Sequence, residues 1–184
     1  RVSRVGHPTL AFGRASRLPS FELPEVSTMS SEPGNDSAPR LHDESMAALR
    51  RLVFGLRWEW AERSDATGPE VFDLDASCVA LDREGRILEI VHPGSQPGAV
   101  AGIRHTGDSL TGGGGGDDER MMLHLAAVPD HVESLVLLVA SMSGCPFGQI
   151  PEVACHLADQ ETTHTLLTVN LTRFATHNAR VIAR

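Results

Sequence analysis

The chain of 184 residues contains no lysine and no tyrosine, and all 16 of its basic residues are arginine. The absence of lysine excludes a Walker-type phosphate loop and a Schiff-base lysine, and the absence of tyrosine excludes a tyrosine acid or nucleophile within this sequence. Aspartate and glutamate number 24, which gives a formal net charge of −8. This negative charge argues against nucleic acid or anionic lipid as the main partner.

Cysteine and long apolar runs are also scarce. The three cysteines, Cys78, Cys145 and Cys155, form no CxxC pair, so neither a zinc knuckle nor a disulfide framework is indicated. We therefore expect a reducing, cytoplasmic location. No apolar run is long enough to span a bilayer, and "SLVLLVASM" at 134–142 predicts a buried strand instead.

Residues 1–45 differ in composition from the rest of the chain. The segment 17–40 is rich in proline, serine and glutamate and has little patterned apolar sequence. Such a composition does not bury enough apolar surface to fold. We predict a disordered linker or tail over 1–45 and, because the chain begins at Arg1 without methionine, we expect it to be a piece of a longer protein.

From residue 52 onward, apolar residues recur with period two. In "LVFGLRWEW" at 52–60 the even positions form an apolar face, and "VFDLDASCVAL" at 71–81 alternates in the same way. The segment 85–93 predicts a third strand after a "DREG" turn. Later strands are predicted in "RMMLHLAAVP", "SLVLLVASMS", "VACHLADQ", "TTHTLLTVNL" and "NARVIAR". Many short strands with almost no helical period predict an all-β fold, an antiparallel β-sandwich.

The stretch "TGDSLTGGGGGDDE" at 106–119 combines a run of five glycines, from Gly112 to Gly116, with four acids. One interpretation is a solvated linker, whose composition needs no ligand. The other is a site for a hard cation, since Ca²⁺ takes roughly six to eight oxygens, including backbone carbonyls, which glycine allows to turn inward. The loop alone does not decide between these interpretations.

Two further acids, Asp73 and Asp75, lie two residues apart on the second predicted strand. Side chains at this spacing share one face, so both carboxylates project away from the apolar face. They are either the polar outer face of a sandwich strand or half of an oxygen cage. Their occurrence in the same small domain as the acidic glycine loop favours the cage.

The segments "VFGLRWE", "FDLDASCVALD" and "HTGDSLTGGGGGDDE", followed by "MMLHLAAVPDHVESLVLLVA", resemble the TerD family of tellurium-resistance and bacterial stress proteins. The resemblance runs from about 49 to 184 and implies a β-sandwich domain that binds Ca²⁺ through its acids. The implied metal ligands are carboxylates from the strand and from both halves of the loop: Asp73, Asp75, Asp108, Asp117, Asp118 and Glu119. Carbonyls of the glycine run and of Thr111 are further candidates, and the choice between Asp117 and Asp118 stays open.

The loop departs from the family pattern at two positions. Ser109 stands where the pattern has asparagine, and Gly115 stands where it has aspartate. Because calcium affinity depends on the number of charged ligands, Gly115 predicts weak binding. The chain also ends at Arg184, before the final strand that members generally have, so we expect the domain to be truncated at its C-terminus.

The leading hypothesis is a non-catalytic, calcium-binding scaffold whose partners are other stress-response proteins. The alternative is a metal-independent interaction module with a degenerate loop. An enzyme is disfavoured because the nine histidines include no HxH or HExxH pair, and Cys78 lies on an apolar strand face. Zinc is disfavoured because the acidic cluster offers oxygen ligands only.

Overall fold

The computed structural model describes residues 49–60, 71–95 and 100–184. The tail expected over 1–45 lies outside the described residues. Within them the chain forms the following strands: β1 (Arg51–Trp58), β2 (Leu74–Leu81), β3 (Ile87–Val91), β4 (Ile103–His105), β5 (Glu119–His124), β6 (Ser134–Ser141), β7 (Val153–Asp159), β8 (Thr165–Asn170) and β9 (Ala179–Ala183). Three single-turn 3-10 helices cover Leu125–Ala127, Phe147–Gln149 and Leu171–Arg173.

The strands form two antiparallel sheets, which confirms the predicted all-β architecture. One sheet has five strands in the order β4-β5-β1-β7-β8, and the other has four in the order β3-β2-β6-β9. Strand β1 lies between β5 and β7, and β2 lies between β3 and β6. Side chains from both sheets form one buried apolar cluster.

The predicted alternation of buried and exposed residues holds along β1 and β2. Leu52, Phe54, Leu56 and Trp58 are at most 4% exposed, and Leu74, Ala76, Cys78 and Ala80 are fully buried. Burial raises the pKa of the Cys78 thiol to about 12, so this cysteine is a core residue and not an activated nucleophile. Cys78 and Cys155 are buried and form no disulfide bond.

Two connections between strands have the conformation that their local sequence predicted. Gly85 adopts a φ of +78° in the β2–β3 hairpin and donates its N–H to the Asp82 carbonyl at 3.0 Å, as the "DREG" turn predicted. The connection at 145–152 contains one helical turn. No helix in the described part of the chain is long and apolar enough to cross a membrane.

Strand β4 was not predicted from the sequence. It contains only three residues, which is too short to show a period, and it exists because it pairs with β5 at the sheet edge. Its consequence for the site is direct, since its last residue, His105, immediately precedes the acidic loop.

Candidate metal centre

Three carboxylates from two separate segments meet at one place. Asp73 and Asp75 belong to the strand region of β2, and Asp108 belongs to the loop between β4 and β5. One carboxylate oxygen from each residue lies within 4.8 Å of the others. We call Asp73, Asp75 and Asp108 the carboxylate cluster. The fold thus brings the two strand acids and the first acid of the loop together.

The carboxylate cluster is electrostatically strained without a counterion. Burial, followed by the charges of Glu119, Asp73 and Asp108, raises the pKa of Asp75 to about 6, although nearby His105 acts in the opposite direction. Burial and then Asp108 and Glu119 also raise the pKa of Asp73. The buried Oδ1 of Asp73 has no hydrogen-bond partner among the described residues. A cation would relieve both the repulsion and the unpaired oxygen.

Glu119 lies beside the carboxylate cluster but has protein partners of its own. Its side chain is buried, and its Oε2 accepts a hydrogen bond from the backbone N–H of Ala76 at 2.8 Å. Its Oε1 lies 3.5 Å from the N of Ser109. His105 Nε2 is 3.4 Å from Oε2, but the two atoms are not aligned for a hydrogen bond. Glu119 therefore joins β5 to β2 and holds the acidic loop near the strand.

Asp117 and Asp118, which the family resemblance offered as ligands, face other groups. The Asp118 carboxylate accepts the N–H of Trp58 at 2.9 Å and that of Gly114 at 3.0 Å, and so closes the loop. Asp117 forms an ion pair with Arg120 at 2.9 Å. The described residues thus place neither carboxylate in the cluster. Sequence could not separate them from Asp108, because adjacency in a loop does not fix the direction of a side chain.

The glycine run packs against tryptophan. Gly112 and Gly113 have φ values of +64° and +78°, and the N–H of Gly113 donates to the Trp58 carbonyl at 2.8 Å. A Cβ on Gly112 would lie 2.4 Å from Nε1 of Trp58, and a Cβ on Gly113 would lie 2.4 Å from Cδ1 of Trp60. Glycine is therefore required by close approach and by left-handed backbone.

Gly115 is different from these neighbours. It has no positive φ, it is exposed, and a Cβ built on it would meet no atom within 4 Å. The family pattern has aspartate at this position, and in this chain the position opens to solvent.

Trp58 and His105 complete the surroundings of the site, and sequence reasoning assigned neither a role there. The Trp58 indole donates to the carbonyl of Phe72 at 2.7 Å, directly before Asp73. Trp58 therefore contacts both the glycine run and the strand that carries the acids. His105, with its side chain 3% exposed, is the histidine that precedes the "TGD" of the loop, and this position was its one sequence signal.

The fold and the site define a class: a β-sandwich domain with a carboxylate cluster between a strand and a glycine-rich loop. The TerD domain matches residues 37–184, and the chain belongs to this family. The match begins earlier than residue 49, where the sequence resemblance started.

Several known relatives support the assignment. The chain is 32% identical over 142 residues to tellurium resistance protein TerZ of Serratia marcescens, covering 74% of this chain and 73% of the relative. It is 31% identical over 141 residues to stress response protein SCP2 of Bacillus subtilis, covering 68% and 69% of the two chains. A solved TerD homologue from Streptomyces coelicolor has the same fold, with a TM-score of 0.62 at 21% identity over 72% of this chain and 78% of that one.

Proposed function

We propose that this domain binds Ca²⁺ through the carboxylate cluster and acts as a non-catalytic scaffold in a bacterial, cytoplasmic stress response. The observation that carries the proposal is the meeting of Asp73, Asp75 and Asp108, with a buried Asp73 oxygen that lacks a partner among the described residues. The names of the relatives, tellurium resistance and stress response, support the biological setting.

The donor set suits a hard divalent cation. The carboxylate cluster supplies oxygens only, and Ca²⁺ accepts irregular oxygen sites more readily than Mg²⁺, which demands a near-ideal octahedron. Asp75 and Asp73 would supply the rigid half of the site, because Asp75 pairs with Ala140 in the sheet and the Asp73 carbonyl accepts the N–H of Met142 at 2.8 Å. Asp108 would supply the adaptable half because it is exposed and lies on a loop.

The exposed residue near Asp108 supports a scaffold role. Leu110 is 63% exposed, two residues further along the same loop. An ion held between Asp108 and the strand would reduce the freedom of this segment, which would then present Leu110 in one conformation. An apolar side chain on an ordered loop is a suitable contact for a protein partner.

Calorimetric titration with Ca²⁺ and with Mg²⁺ tests the proposal. We expect Ca²⁺ to bind more tightly than Mg²⁺ and to raise the melting temperature relative to the chelated protein. Asp75→Asn should abolish this shift, whereas Asp117→Asn, which removes a carboxylate outside the cluster, should retain it. Equal affinity for the two ions, or equal losses in the two variants, would contradict the proposal.

A second candidate is a metal-independent interaction module. It is favoured by the hydrogen bonds of Asp118, Gly113 and Gly114 with one another and with Trp58, which hold part of the loop without an ion. This function predicts that Ca²⁺ neither binds nor changes stability, and that partner binding is the same in chelator and in calcium.

A further inference from the structure

The outer face of the five-stranded sheet carries a depression at the Arg51 end of β1, which is the opposite end of that strand from Trp58. Its volume is about 290 Å³. It is lined by residues of β1, β4 and β5, together with the residue before β4 and the residue after β7: Arg51, Gly102, Ile103, Arg104, Met122, Leu123, His124 and Gln160. No aspartate or glutamate lies among the lining residues.

Strand pairing explains why two arginines meet there. Arg51 on β1 is directly opposite His124 on β5, and Arg104 on β4 is directly opposite Met122 on β5. Since Met122 and His124 are two residues apart, they share the outer face of β5. The two guanidinium groups therefore belong to one surface, with Met122 between their strands.

These two arginines differ from others in the same sheet region. Arg57 forms an ion pair with Glu152, and Arg120 forms one with Asp117 at 2.9 Å. Arg51 and Arg104 are exposed, and neither side chain has a hydrogen bond or ion pair with any described residue. This is unexpected in a chain with 24 acids and 16 arginines, where acidic partners are abundant.

We propose that this depression is a binding site for the phosphate group of a small molecule. Planar guanidinium groups match phosphate oxygens through paired N–H donors, and each brings a full positive charge at any physiological pH. His124 and Gln160 add hydrogen-bonding groups, and half-buried Met122 offers an apolar contact for the remainder of the molecule. A nucleic acid is a poor occupant because the chain as a whole carries a charge of −8.

The site is separate from the carboxylate cluster in both residues and chemistry. None of its lining residues belongs to the cluster, and its ligand has the opposite charge. It therefore does not depend on the proposed calcium function, and all measurements can be made in chelator. Failure of one proposal leaves the other intact.

The first measurement is an NMR titration of the isotope-labelled parent protein in chelator, at constant ionic strength, with inorganic phosphate and then with adenosine monophosphate. We expect saturable shifts at His124, Gly102 and Gln160. Tighter binding of the nucleotide would assign a role to its organic part, and equal binding would assign the site to phosphate alone. No saturable shift with either probe, or shifts located elsewhere, would overturn the proposal.

The second measurement compares variants that remove equal charge from exposed arginines. Arg51→Gln and Arg104→Gln should each weaken phosphate binding about ten-fold, as expected for the loss of a charge-assisted hydrogen bond. Arg57→Gln is the matched control, because its guanidinium already has Glu152 as its partner, and it should bind like the parent. Equal weakening in all three variants would mean that only diffuse charge attracts the anion, and the proposed site would be wrong.

Discussion

The first half of the acidic loop, 106–111, and the second half, 112–119, both contain aspartate, but their carboxylates face different groups. In the first half, Asp108 faces Asp73 and Asp75, and like charges surround its carboxylate. In the second half, Asp118 faces the N–H groups of Trp58 and Gly114, and Asp117 faces Arg120. The second half is thus satisfied by the protein itself, whereas the first half is suited to a cation.

This comparison shows that the partner of a carboxylate decides its role. Hydrogen bonds from backbone N–H groups to Asp118 fix the loop, while burial and neighbouring carboxylates raise the pKa of Asp75 and of Asp73. Glu119 lies between the two cases, because it bonds to Ala76 and still raises the pKa of Asp75. The following predictions test this difference.

The largest effect on stability is expected where Gly112, in the second half of the loop, packs against Trp58. Gly112→Val should lower the free energy of unfolding by roughly 2–5 kcal/mol, because it combines left-handed strain with overpacking against Trp58. Gly115→Ala, in the same run but facing open space, should change it by less than about 0.5 kcal/mol. Urea unfolding of both variants in chelator measures the difference. Similar losses would mean that the glycines serve general loop flexibility and not close packing.

A smaller effect on stability is expected from replacing single carboxylates, and its sign should differ between Asp118, which accepts backbone N–H groups, and Asp75, which faces other carboxylates. In chelator, Asp118→Ala should destabilise the domain by about 1–3 kcal/mol, since it leaves the N–H groups of Trp58 and Gly114 without an acceptor. Asp75→Asn should leave stability unchanged or raise it, because it removes a charge that burial and then the neighbouring Glu119 and Asp73 make unfavourable. Thermal melts of the two variants provide the measurement, and destabilisation by both would remove the distinction between the halves.

The smallest effect is a pH dependence that comes from Asp75. Its folded-state pKa of about 6 exceeds the ordinary value of 3.8, so the folded protein binds more protons than the unfolded chain between these values. In chelator its contribution to stability should therefore decrease as the pH rises from about 4 to about 6 and stay low above that. Asp75→Asn should lack this decrease. Parallel stability profiles for parent and variant from pH 4 to 7 would refute the assignment.

Calcium should reverse the pH trend. Because a ligating carboxylate must be ionised, Ca²⁺ and the Asp75 proton compete, and the calcium-induced rise in melting temperature should shrink as the pH falls through about 6. Asp117→Asn is the control, since its carboxylate already pairs with Arg120. The same pH trend is expected in that variant.

Much of the architecture could be predicted from local sequence. The even positions of β1 and the apolar positions of β2 are buried as their alternation required, and the same alternation put Asp73 and Asp75 on one side of their strand. Strand β4 escaped prediction because a three-residue edge strand depends on its pairing with β5 and not on its own pattern. His105 was missed as a neighbour of the site for the same reason.

The sequence by itself determined the all-β architecture, the two core faces, the family and the presence of an acidic loop. These depend on periodicity and motif, which are properties of adjacent residues. Only the tertiary structure decided that Asp108 joins the strand acids, that Asp118 holds Trp58 and Gly114, and that Arg51 and Arg104 share a depression. These depend on contacts between residues far apart in the chain, and the direction of a side chain in a loop is set by the partners that the fold brings to it.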